Sequence, residues 1–338
     1  RFGQCFNSSL NNKLKYLTNL EHLKLGGFFN QSLENETHNL INLKYFCFSS
    51  SYNNQLNNTL TNLINLEYLN FNNRFNQPLN NELLKLTNLQ ALYFSHSFNH
   101  PIDGQLKNLV NLQELWFGEN FNQPINGQLN NLINLKKIII GRLFEQPLKN
   151  SFDTLINLKY LYLSNNKHQF DISDNLNNLT NLTNISINFD NNLNKLSKLT
   201  HLTVYHLDEF SSINLINLEY LCFDFYFDKP LTNCLDNLIN LKKLNLGQNY
   251  NKPLTNCLDN LINLEKLLFS TNFNKPLTNC LDNLINLKQL IFGDDYNQPF
   301  ANSLNCLVNL EELDLGDNYN QPLSNSLDNL INLQILNL

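Results

Sequence analysis

The sequence lacks most of what would mark a membrane, secreted or catalytic protein. It has no methionine, one tryptophan, ten glycines and nine prolines in 338 residues. Charged residues make up only 15%, with a formal net charge of −6. The longest apolar runs, such as Ile138-Ile139-Ile140, fall far short of a bilayer span. The acidic balance leaves no basic stripe for duplex nucleic acid, because Lys136-Lys137 with Arg142, and Lys242-Lys243, are scattered. No Gly-rich phosphate loop, H-E-x-x-H motif, nucleophile elbow or EF-hand loop occurs. The seven cysteines are odd in number and include no C-x-x-C pair, which argues against a disulfide framework or a zinc cluster. No cofactor is expected, and the chain reads as non-enzymatic. A reducing, intracellular setting, the cytoplasm, is expected. The chain starts at Arg1 and stops at Leu338 within a strand-like segment, so both ends are expected to be uncapped or cut from a longer chain.

What is abundant is Asn and Leu, each about a fifth of the residues. A disordered chain would be poor in aromatics, and this one has 24 Phe and 13 Tyr with which to build a core. The two residues keep register with each other. Leu-x-x-Leu-x-x-Leu-x-Leu/Phe starts at Leu17, Leu40, Leu63, Leu86, Leu109, Leu132 and Leu155. It continues from Leu179, Leu196, Leu215, Leu238, Leu261, Leu284, Leu307 and Leu330. The usual spacing of 23 lies within the 20–29 residues of leucine-rich repeats.

Each unit reads as a short strand followed by an outer segment. In Leu109 to Leu132, Leu115 and Phe117 alternate with Glu114 and Trp116, giving a strand with one inward face. Gly118-Glu119-Asn120 makes a turn. Ile125, Leu129 and Leu132 then follow at i, i+4 and i+7 after Pro124, which predicts one or two turns of α or 3₁₀ helix. Stacking the units buries what one alone could not. The fold class is therefore α/β: a curved or superhelical leucine-rich-repeat solenoid, with a concave parallel sheet of about 15 short strands and a convex side of short α/3₁₀ segments. Residues 1–338 read as one array.

Further columns support the stack. An aromatic recurs at Phe6, Phe29, Tyr52, Phe75, Phe98, Phe121 and Phe144, then at Phe227, Tyr250, Phe273, Tyr296 and Tyr319. Asn follows nearly all of these, with Glu145 and Asp228 the exceptions, and another Asn precedes the second Leu in every unit except at Lys198. Short carboxamides satisfy backbone donors and acceptors in buried turns, so these columns predict Asn ladders between rungs. Cys234, Cys257 and Cys280 form one column of half-buried small residues. Between about residues 167 and 227 the register breaks: Lys167-His168-Gln169-Phe170-Asp171 replaces the aromatic run, and the next two units are 17 and 19 long. This stretch is either decay of a duplicated array or a feature that shapes the binding surface.

The runs Phe75-Asn76-Gln77-Pro78-Leu79, Phe121-Asn122-Gln123-Pro124-Ile125 and Tyr319-Asn320-Gln321-Pro322-Leu323 resemble FNIP-type repeats. These are a leucine-rich-repeat subclass found in social amoebae and in the giant viruses that infect amoebae. The resemblance implies a protein-binding solenoid, in the host cell's cytoplasm if viral, often joined to an F-box that links a target to a ubiquitin ligase. Repeats here begin by Phe6, so no F-box is expected within these residues ahead of them, and the Leu-x-x-Leu-x-x-Leu segment is closer to ordinary leucine-rich repeats.

Alternation also predicts the outward strand positions. His22 and Lys24, Tyr45 and Cys47, Tyr68 and Asn70, Ala91 and Tyr93, Glu114 and Trp116, Lys137 and Ile139, Tyr160 and Tyr162, and later Tyr220 and Cys222 should face away from the core. Tyr45, Tyr68, Tyr93, Glu114, Trp116, Tyr160, Tyr162 and Tyr220 are thereby candidate partner-binding residues, since amphipathic aromatics suit protein interfaces. Their other explanation is cross-rung packing of strand-favouring residues. Asp294, Asp295, Glu312, Asp314 and Asp317 form an acidic end that could steer a basic partner, or simply a solvated face. His201 and His206, near Asp208 and Glu209, have no third ligand at a defined spacing and read as ordinary surface histidines. The expected partner is another protein, with no nucleic acid and no membrane. A self-assembling structural protein, stacking through its terminal rungs, is the other reading.

Overall fold

A computed structural model describes residues 2–163, 175–188, 191–205 and 214–338. The chain divides into two compact units, residues 1–182 and 183–338. The first contains β1 (His22–Lys24), β2 (Tyr45–Cys47), β3 (Tyr68–Asn70), β4 (Ala91–Tyr93), β5 (Glu114–Trp116), β6 (Lys137–Ile140) and β7 (Tyr160–Leu163). The second contains β8 (Asn184–Asn188), β9 (His201–Tyr205), β10 (Tyr220–Phe223), β11 (Lys243–Asn245), β12 (Lys266–Leu268), β13 (Gln289–Ile291), β14 (Glu312–Asp314) and β15 (Ile335–Asn337). Within each unit successive strands pair in parallel, and the 23-residue repeat sets the register: His22 opposes Tyr45, Tyr45 opposes Tyr68 and Tyr68 opposes Ala91. The shortened repeats keep this ladder, Asn184 opposing His201 and His201 opposing Tyr220. The run Lys167 to Asp171, and His206, Asp208 and Glu209, lie outside the described residues.

The Leu spacing of three has a backbone cause. Leu63 N–H donates to Leu60 C=O, and Leu66 N–H to Leu63 C=O, both at 3.0 Å, and the same pair of turns recurs along both units. Side chains three apart on such i→i+3 turns project to one side, so Leu60, Leu63 and Leu66 are all fully buried. Each strand then starts with a shared acceptor. Glu21 C=O takes both Lys44 N–H and Tyr45 N–H, at 2.8 and 3.0 Å, and Lys44 C=O does the same for Glu67 and Tyr68.

The outer segment differs from the expected helices. Among the described residues the only helical pieces are 3₁₀ turns at Leu14–Tyr16, Asn175–Asn178 and Asn191–Lys195. In most other rungs the outer path is a β-turn whose third residue is left-handed; in the last two the positive φ falls on the second residue, Ala301 and Ser324. The left-handed third residue is Asn35 (φ 64°), Asn58 (φ 66°), Asn81 (φ 67°), Gly104 (φ 66°), Gly127 (φ 74°) and Asn150 (φ 59°) in the first unit, and Asn233, Asn256 and Asn279 (φ 57–58°) in the second. A positive φ interrupts any helix, and Asn and Gly are the residues that accept it at least cost. The i, i+4, i+7 spacing of Ile125, Leu129 and Leu132 therefore arises from consecutive turns around Gly127.

Inside, the aromatic column is a continuous stack. Phe75–Phe98, Phe98–Phe121 and Phe121–Phe144 have ring centroids 6.1–6.2 Å apart and interplanar angles of 10° or less. In the second unit Tyr250–Phe273–Tyr296–Tyr319 repeats it at 6.1–6.3 Å. Each such pair adds about 1 kcal/mol to the burial of its rings. The Asn ladders accompany the stack. Asn30, Asn53, Asn76, Asn99 and Asn122 each donate their backbone N–H to the Oδ1 of the residue 23 earlier, at 2.8–3.0 Å. Asp228 takes the same role toward Asn251 N–H at 2.7 Å and spends its other oxygen on Lys252 Nζ, also at 2.7 Å. The second ladder points the other way: Asn65, Asn88, Asn111 and Asn134 each donate Nδ2 to a carbonyl of the preceding rung at 2.8–3.0 Å. Both ladders run along exposed edges rather than through buried turns, because the Leu and aromatic columns already fill the interior.

One more column closes the turns. Glu82, 2% exposed, accepts the N–H groups of Asn58 and Leu60, and Glu36 accepts those of Asn12 and Leu14. Two rungs further on, Gln128 Oε1 accepts Gly104 N–H at 2.9 Å. Burial raises the Glu82 carboxyl above its ordinary value, outweighing the N–H groups that favour its ionised form.

Two outcomes follow from these columns. Asn256 is exposed and its φ is 58°. Asn256→Ala should therefore lower stability by about 1 kcal/mol, whereas Asn256→Gly should nearly preserve it; equal losses in denaturant melts would show that the side chain, not the φ, matters. For Glu82 the folded chain holds a proton to higher pH than the unfolded chain. Its stabilising share is thus complete below the ordinary carboxyl value and lost as pH rises through the raised one. Glu82→Gln, with Gln already in this column at Gln105 and Gln128, should flatten the decline in denaturation midpoint as pH rises above the ordinary carboxyl range. An unchanged slope would place the pH dependence elsewhere.

Candidate interaction surface

Most three-residue strands leave their first and third side chains partly open and bury the second, so β3 shows Tyr68 and Asn70 around a fully buried Leu69. Parallel register then sets two rows on the open face of the first unit. One runs His22, Tyr45, Tyr68, Ala91, Glu114, Lys137, Tyr160; the other runs Lys24, Cys47, Asn70, Tyr93, Trp116, Ile139, Tyr162. Cys47 departs from the expectation: it is 4% exposed, and burial raises its thiol pKa.

Five rings form a connected stripe across these rows. His22 lies 5.8 Å from Tyr45, Tyr45 stacks on Tyr68 at 4.4 Å and 9°, and Tyr68 meets Tyr93 at 5.2 Å. Tyr93 then meets Trp116 edge-on at 6.0 Å, and His96 closes the other flank of Trp116 at 5.4 Å. Tyr93 donates its hydroxyl to Glu114 Oε2 at 2.5 Å, and Asn70 donates Nδ2 to Tyr68 Oη at 3.1 Å. The tyrosines and Trp116 are half-buried rather than fully displayed. Partial burial pushes the Tyr45 phenol up to about 12, and burial followed by the Glu114 bond raises Tyr93. Both phenols therefore stay protonated near neutral pH. Because Tyr45 and Tyr68 spend their faces on each other, what they turn outward is ring edge and hydroxyl. At Tyr45 and Tyr68 the stripe is thus a hydrogen-bonding surface with an apolar body, not a platform for stacking a base or a sugar.

The remaining candidates fall apart into separate places. Tyr160 is 37% exposed and Tyr162 half-buried on β7, two rungs beyond Trp116. Tyr220 belongs to the second unit, where His201 lies 5.6 Å from its ring and Lys243 Nζ sits 5.0 Å over it. The acidic residues divide between two surfaces. Glu312 and Asp314 lie on β14, holding Gln289 Nε2 at 2.7 Å and Asn337 Nδ2 at 3.0 Å, while Asp294, Asp295 and Asp317 are exposed in turns. Among the described residues no three His, Cys, Asp or Glu side chains are grouped to hold a metal. No helix of these residues is long and apolar enough to cross a membrane.

Two features of the strand-entry edge escaped the sequence reading. Each unit has a shallow polar groove, about 450 Å³ in the first and 650 Å³ in the second, banked by an Asn ladder on one side and a charged row on the other. Beside it runs a column of exposed β-branched residues, including Ile41, Ile64, Val110, Ile133 and Ile156, 43–55% exposed. The signal was present in the three-residue Leu period, which forces the residue after each Leu outward. Phe225 and Tyr226, 49% and 60% exposed in the turn after β10, were also passed over.

No family model matches the chain, and none of the curated proteins is similar to it. Solved structures are. An internalin, InlF, from Listeria monocytogenes matches over 81% of each chain with 23% identity and a TM-score of 0.59. The circular leucine-rich-repeat protein CroV588 matches 96% of this chain with 23% identity and a TM-score of 0.68. TLR13, in its complex with ssRNA13, matches 89% with 20% identity and a TM-score of 0.66. This chain spans about half the length of the latter two, 54% and 47%. At these identities the likeness establishes the fold, a leucine-rich-repeat solenoid.

Proposed function

We propose that the chain is a non-enzymatic protein-recognition scaffold whose first unit binds a partner protein on its open strand face between Tyr45 and Tyr162. The observation that carries this reading is the unbroken row Tyr45–Tyr68–Tyr93–Trp116, in contact from rung to rung and still open to solvent on one side. Tyr and Trp bring large rigid area with a polar tip, which is what interface anchors require. Glu114 and Asn70 fix the hydroxyl directions, so the surface is preorganised before a partner arrives. The acidic residues at Asp294, Asp295, Glu312, Asp314 and Asp317, and Tyr220 with Lys243, provide secondary contacts in the second unit. The Phe-Asn-Gln-Pro runs support a narrower version, in which this FNIP-like array is the target receptor of a ubiquitin-ligase-type adaptor.

The test is capture from host-cell lysate by the wild-type chain and by a Tyr68→Ala, Tyr93→Ala, Trp116→Ala, Tyr160→Ala variant shown to fold. A partner held by the first and lost by the second supports the proposal. For that purified partner Trp116→Ala alone should weaken binding roughly thirtyfold. The single tryptophan makes the same site a fluorescence reporter, its emission shifting as the partner saturates. Capture of the same proteins by both baits would reduce the stripe to strand packing. Particles that lengthen with concentration would favour stacking through terminal rungs.

A further inference from the structure

The second unit carries an outward apolar residue in successive rungs at its strand-entry edge: Ile239, Ile262, Ile285 and Val308 are 42–52% exposed. Their Leu neighbours fill the core, and these side chains add nothing to it. Nor are they needed to shield the Asn ladder. In the first unit Thr18 and Thr87 occupy the same column, and the Asn bonds to their carbonyls, 3.0 and 2.9 Å, match the 2.8 Å bonds at Ile239 and Ile262. Three residues after each apolar residue comes a charged row that alternates in sign: Lys242, Glu265, Lys288, Glu311. Lys242 and Lys288 reach the glutamates one rung before them at 3.0 Å, but these side chains are 43–52% exposed, and pairs so open to solvent contribute little to stability. Stability therefore accounts for neither the apolar column nor the alternation.

Both are accounted for by a surface with the same rung spacing laid against this one in reverse order. A two-fold axis lying in the contact plane, perpendicular to the direction of stacking, and passing between the Glu265 and Lys288 rungs, keeps each column opposite itself and reverses the rungs. Ile262 then faces Ile285 of the second copy and Ile239 faces its Val308. Glu265 faces the second copy's Lys288, and Lys242 its Glu311, each pairing occurring twice. A two-fold axis along the stacking direction through the charged row would instead set Lys242 against Lys242 and Glu265 against Glu265. We propose that this face binds a second copy of the chain, antiparallel, to form an isologous dimer.

Sedimentation velocity on the 338-residue chain from about 1 μM to about 100 μM tests this. A monomer–dimer equilibrium is expected within that range. Lys242→Glu with Lys288→Glu makes the row wholly acidic and should weaken the dimer at least tenfold, and Glu265→Lys with Glu311→Lys should do the same. Mixing the two variants should restore a one-to-one dimer, because every Lys again meets a Glu; recovery of assembly also shows that both variants are folded. Ile262→Ser, which places a hydroxyl where the first unit already tolerates one, should weaken the dimer without changing the melting transition. A chain that stays monomeric throughout, a dimer indifferent to these changes, or two variants that fail to combine would overturn the proposal.

Discussion

The structure depends on the carboxamide that joins one rung to the next. In a solenoid the strand segments find backbone partners in neighbouring strands, but the turns between them leave N–H and C=O groups aimed along the stacking direction. Asn is short enough to answer both. In one column Oδ1 receives the next rung's backbone N–H; in the other Nδ2 donates to the preceding rung's carbonyl. Each bond is worth about 1 kcal/mol, and each fixes where the following rung begins. The aromatic stack and the Leu columns supply most of the burial energy, yet they would tolerate sliding. The amides do not, because a slip by one residue would leave every turn donor without its acceptor.

This dependence explains which parts of the molecule were legible in the amino acids and which were not. Strand positions, inward Leu residues, the aromatic column and the amide ladders all repeat at 23 residues, so composition and spacing sufficed. The outer turns were misjudged because Pro124, Ile125, Leu129 and Leu132 imitate a helical face; the φ of Gly127, which breaks it, is a backbone property that the apolar spacing does not show. The aromatic stripe was correctly placed on the open face, but its character was not. That Tyr45 and Tyr68 lie nearly parallel at 4.4 Å, and so withdraw their faces from any ligand, depends on ring rotation, which register alone does not give. Cys47 is a similar case, since its position in the strand gives no measure of how far its neighbours cover it.

Once the interior is committed to identical columns, information about partners is confined to positions that the columns leave free. These are of two kinds. The open strand face of the first unit is aperiodic, passing from His22 through Tyr45, Tyr68, Ala91 and Glu114 to Lys137, and no two of its neighbouring steps are chemically alike apart from the tyrosines. Such a row discriminates among irregular surfaces, because only one alignment satisfies all of it. The strand-entry edge of the second unit is nearly periodic from Ile216 to Glu311, with an apolar residue, an Asn and a charge in each of those rungs and only the sign changing. A periodic row matches an irregular partner poorly, since any contact it makes can be made again one or two rungs away. It matches another periodic row well, and alternation of sign then removes every second alignment. The two surfaces are thus suited to different tasks, one to selecting a foreign protein and the other to recognising the same chain.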